Sequence, residues 1–63
     1  MNYFKARTYK MFRFIGFSLK SGEKIYRGIN QYNEVSKEIY LLSEIIKMSE
    51  TLEWNLNKMI KGE

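Results

Sequence analysis

Cysteine, histidine, aspartate and proline are all missing from this 63-residue chain. Without cysteine there can be no disulfide, and nothing points to an oxidising compartment. Without cysteine, histidine or aspartate, a structural zinc site or an EF-hand calcium loop has no ligand set. Without histidine, Ser18, Ser21, Ser36, Ser43 and Ser49 lack the base that usually activates a serine nucleophile. Glu34 and Glu38 stand four apart, but like charges at that spacing are ordinarily just solvated on a helix. The glycines at 16, 22 and 28 do not make a phosphate-binding loop. The expectation is therefore a chain without catalytic residues, metal or cofactor, which acts by binding.

Long apolar runs are missing too. No stretch approaches the ~18 apolar residues of a membrane span. Phe14 to Leu19, which follows a basic N-terminus, is shorter than the roughly 7–15 residues of a secretory leader and includes Gly16 and Ser18. This predicts a cytoplasmic protein (in a host cell, if the source is viral) with no membrane role. The chain is one small domain, 1–63, and at this length only about 60% of the unfolded surface is buried on folding. Small scaffolds usually lean on disulfides, a metal or oligomerisation. With the first two excluded, the expectation is a homo-oligomer or a partner protein.

The charges are unevenly spread. Residues 1–32 carry seven basic residues and one acidic, whereas residues 33–63 carry four basic and six acidic, within a net charge of +4. A basic half of this kind suits an anionic partner, or serves only as a solvated surface. Phe, Tyr, Met, Ile, Asn and Lys supply 33 of the 63 residues, and Gly, Ala, Arg and Pro only 8. The first group has AT-rich codons, which predicts a low-GC bacterium, its phage, or a virus as source; a GC-rich gene would contradict this.

The pattern along the chain predicts an α+β fold: an antiparallel hairpin or three-stranded sheet over about residues 3–31, then one long helix over about 33–60. The first region is rich in aromatic and β-branched residues, and its rings scatter round a helical wheel. Met11–Leu19 and Glu23–Ile29 read as the hairpin arms, with Gly22 supplying the positive φ of the turn; residues 3–9 read as an edge strand or an arm. In the second region, Asn30 or Asn33 reads as a helix cap, Val35, Ile39, Leu42 and Ile46 as part of an apolar stripe, and Gly62 as the terminator. Such a helix spans roughly 40 Å against about 30 Å for the hairpin. Either it breaks near Ser49-Glu50-Thr51, or Leu52, Leu56, Met59 and Ile60 project as a face for another subunit or partner.

Strict alternation puts Met11, Ile15, Phe17 and Leu19 on one face of the first arm, and Phe12, Phe14, Gly16 and Ser18 on the other. Both faces are apolar, and one helix covers only one of them. With Ile15 and Phe17 inward, Phe12, Phe14 and Tyr26 stand outside among Lys10, Arg13, Lys20, Lys24 and Arg27. Bases could stack on those rings while the cations follow phosphates. The plainer alternative is that the rings fill core volume. Tyr40 and Trp54 fall on the polar side of the helix wheel, so Trp54 is expected to meet a partner, the N-terminal strand, or Lys58 one turn on.

Two kinds of binding partner follow. One is a host protein or nucleoprotein complex, inhibited or modulated by a small phage or mobile-element accessory protein of anti-defence type. The other is nucleic acid, bound by the basic aromatic face with a steep salt dependence. A small nucleotide held between subunits would use the same basic residues.

Overall fold

The aromatic, β-branched half forms the hairpin that its composition predicts. The computed structural model describes residues 5–61; Tyr3 and the expected terminator Gly62 lie outside the described residues. After a single 3₁₀ turn at Ala6–Thr8, strand β1 (Tyr9–Phe17) pairs antiparallel with β2 (Lys24–Asn30). Their loop is closed by Ser18 N donating to Glu23 O at 2.8 Å and Gly22 N to Ser18 O at 2.8 Å. Gly22 sits at φ 76°, the left-handed backbone that this turn requires.

The edge strand or arm expected at residues 3–9 falls partly outside the described residues, and over 5–9 the chain makes the 3₁₀ turn and enters β1, so the third antiparallel strand lies elsewhere. It is β3 (Val35–Leu41), within the segment expected to begin the helix. Asn30 closes a hairpin turn instead of capping a helix: its Oδ1 accepts from Tyr32 N (2.9 Å) and Glu34 N (3.0 Å), and its Nδ2 donates to Glu34 Oε1 (2.8 Å). Asn33 takes φ 64°, which asparagine tolerates in turns. Val35 and Ile39, four residues apart, fit a helix stripe as well as a strand. The strand wins because β2 has a free edge whose backbone groups need partners, and because Tyr40 then lies opposite Tyr26.

Helix α1 is correspondingly short, Leu42–Leu52. Two carboxylates serve its first turn, with Leu41 N donating to Glu44 Oε1 (2.8 Å) and Ser43 N donating to Glu23 Oε1 (3.1 Å) from the β1–β2 loop. It ends at Glu53, which adopts a left-handed φ of 58°, and Trp54 N then donates to Ser49 O at 2.9 Å. Asn55 caps a four-residue helix, α2 (Leu56–Met59), and Ile60–Lys61 forms β4, parallel to β1. The sheet order is β3-β2-β1-β4.

The helices cover one sheet face. Phe12, Tyr26, Ile45 and Met48 are fully buried there, joined by Ala6, Tyr9 and Met59. The rings pack mostly edge to face, with Tyr9, Phe12 and Tyr40 mutually 5.5–5.8 Å apart between centroids. Trp54 comes back beyond the end of α1 to pack on Phe12, at 5.9 Å, so of its expected neighbours it is the N-terminal strand that it meets. Leu52, Leu56 and Ile60 pack against this core and Met59 is buried in it. They do not project, because the chain reverses at Glu53, a few residues past the expected break. Among the described residues, no helix is long and apolar enough to cross a membrane.

Candidate interaction surface

Two bulges decide which side chains face outward. Register shifts between Tyr9 and Met11, and between Phe14 and Gly16, each add a residue to β1. Gly16 takes φ 154°, a conformation that other residues rarely adopt. The second bulge breaks the strict alternation of β1, so that Phe14 and Phe17 share the helix side, with ring centroids 5.4 Å apart. Phe12 and Tyr26, expected among the outward rings, are the most buried in the molecule, and Phe14 is half-buried against them. None of the three forms an open stacking platform. The physical reason is volume: a chain this short needs its largest rings in its one core.

The opposite sheet face carries Met11, Arg13 and Ile15 from β1, Ile25, Arg27 and Ile29 from β2, and Val35, Ile39 and Leu41 from β3. The cross-strand pairs Met11↔Ile29↔Val35 and Arg13↔Arg27↔Ile39 run across it as rows. No helix covers this face. Ile15, Val35 and Ile39 remain 40%, 47% and 50% exposed, while Ile29, between its neighbours, is buried. These exposed β-branched residues on one face of so small a chain make it the candidate interaction surface.

The two arginines at its centre are directly opposite one another. Side chains so paired have Cβ atoms about 4.5–5.5 Å apart, and like charges there repel. Arg27 is held in place, its Nη1 donating to Ser36 O (2.9 Å) and Lys37 O (3.0 Å) where the β2–β3 register shifts. Arg13 is exposed and makes no hydrogen bond or ion pair among the described residues. None of these side chains is acidic.

The other expected cations are dispersed. Lys10 donates to Asn33 Oδ1 at 2.6 Å, Lys20 is exposed in the β1–β2 loop, and Lys24 begins β2. Ile25, Ile29, Val35 and Ile39 were missing from the binding face expected from sequence. The alternation Ile25-Arg27-Ile29 was the signal for the first two; the helical spacing of Val35 and Ile39 hid the others. A depression of about 520 Å³ is lined by Lys5, Arg7, Thr8, Asn30, Gln31, Tyr32 and Glu34. Beside it, Lys5 and Glu38 pair at 2.8 Å on the surface, which lowers the Glu38 carboxyl and raises the Lys5 ammonium through their mutual hydrogen bond.

In comparisons with known proteins, no family model, no curated protein and no solved structure matches the chain.

Proposed function

We propose that this chain is a small, non-enzymatic binding module that docks on a protein through its open sheet face. In the cell it would inhibit or modulate a host protein or nucleoprotein complex, as a phage or mobile-element accessory protein of anti-defence type. The observation that carries this is the uncovered face itself, where Ile15, Val35 and Ile39 stand exposed around two arginines. Aliphatic β-branched side chains suit the apolar centre of a protein interface, and arginine is the cation most enriched in such interfaces. The absence of histidine, cysteine and aspartate supports a role without catalysis.

Nucleic acid binding is the second reading, supported by the net charge of +4. Burial of Phe12 and Tyr26 weakens it, because stacked bases need open rings. Size-exclusion chromatography with light scattering separates the two, run with single- and double-stranded oligonucleotides at low and moderate salt. The protein reading expects no co-elution at moderate salt, and capture from source-cell extract of a protein that Ile39→Glu no longer retains. Oligonucleotide that still co-elutes at moderate salt, with equal capture by both variants, contradicts it.

A further inference from the structure

We infer that the open face takes an acidic, apolar-flanked segment of a protein, with Arg13 and Arg27 jointly holding one of its carboxylates; this rests on the reading of that face as protein-binding. A directly opposed Arg13–Arg27 pair is unfavourable in the free chain, and among the described residues no carboxylate on the face offsets it. Such local conflicts concentrate at functional sites.

An incoming carboxylate resolves the conflict. Arg27 is anchored through one nitrogen to the carbonyls of Ser36 and Lys37, which fixes its plane and leaves its other N–H groups for a ligand. Arg13 keeps its whole fork unused. Two guanidiniums a strand apart can accept a carboxylate by charge-assisted hydrogen bonds, while Ile15, Val35 and Ile39 cover apolar residues on either side of it. A sugar–phosphate backbone would satisfy the arginines but leave those three aliphatic side chains in contact with water. A second copy docked face to face would bring four arginines together with no acid among the described side chains of either face. Charge and apolarity together therefore favour an acidic protein segment.

The test selects binders to the purified, immobilised chain from a random 12-residue peptide library and, in parallel, from a random single-stranded oligonucleotide pool at moderate salt. Enriched peptides should carry Asp or Glu flanked by aliphatic or aromatic residues. Arg13→Gln should weaken them about tenfold or more, and Arg13→Lys should recover only part of the loss. Arg13→Glu should abolish binding yet raise the Tm by a few degrees, because it turns a repulsive cross-strand pair into an attractive one. That opposed pair of readouts would not arise from mere unfolding.

Enriched peptides without acidic residues, but lost with Ile39→Glu, would overturn the carboxylate inference and leave the face as a protein-docking surface. Peptides indifferent to both Arg13→Gln and Ile39→Glu would overturn both. So would oligonucleotides as the enriched binders, an empty peptide selection, or a dimer in light scattering that Arg13→Glu dissociates.

Discussion

At the scale of single residues, the core is a set of tight ring contacts with little room to give. A Cβ added to Gly28 would lie 2.5–2.7 Å from the Tyr9 ring, which rests on that glycine. Tyr9 cannot simply swing away, since it also packs on Phe12 and Tyr40. Gly28→Ala should therefore destabilise by about 1–3 kcal/mol, the usual cost of overpacking. A domain of this size has roughly 3–9 kcal/mol to lose, so the shift will be plain in urea denaturation. Tyr40 adds a pH dependence. Partial burial first, then its 3.3 Å hydrogen bond with Tyr9, raises its phenol above the ordinary value of 10.0. A raised pKa means that the fold favours the neutral phenol. Its contribution is whole below about pH 10 and is lost as the pH climbs above that. Denaturation midpoints at pH 8 and pH 11 should fall further apart for the wild type than for Tyr40→Phe; equal gaps would contradict this. The same residues show what sequence could disclose. That the rings at 12, 14 and 26 would be core was the plainer alternative on composition. Which way they faced was not legible, because the added residue before Gly16 breaks the period of two on which the inference of faces relied.

At the scale of elements, the ends are set by side chains distant in sequence. The start of α1 depends on Glu23, which reaches from the β1–β2 loop to the Ser43 amide. Its end depends on Glu53 holding a left-handed φ of 58° without the glycine usual there. Glu53→Gly should relieve that strain and stabilise the fold by about 0.5–1 kcal/mol, measured as a higher Tm. An unchanged or lower Tm would show that the Glu53 side chain contributes more than its backbone costs. The hairpin of β1 and β2 was legible because its signals, a strand-forming composition and Gly22 in the turn, are local. The exchange of a long helix for β3 plus α1 was not. Asn30 and Asn33 serve equally as caps or turn residues, and Val35 and Ile39 fit both periods. The choice between them is made by the free edge of β2, a tertiary partner that no local window contains.

At the scale of the whole molecule, 57 described residues close one core and leave one sheet face bare. Sequence foresaw the imbalance: two apolar strand faces and helix enough to cover one. The reading with Ile15 and Phe17 inward put Phe12, Phe14 and Tyr26 outside, whereas all three lie in or against the core and Ile15 is the residue left out; the second interaction face expected at Leu52, Leu56, Met59 and Ile60 instead completes the core. The projecting helix was one ground for expecting a homo-oligomer, and that ground is gone; the bare sheet face is the surface we propose for a partner. Photo-crosslinking in the source cells tests its role most directly. A benzophenone side chain would replace Ile39 on the open face or, as a control, Ile46, which is exposed on α1. A discrete protein adduct is expected from position 39, none from position 46, and loss of the adduct when Arg13→Glu is added. An adduct from position 46 alone, adducts with nucleic acid, or an adduct from position 39 that is indifferent to Arg13→Glu would contradict that role.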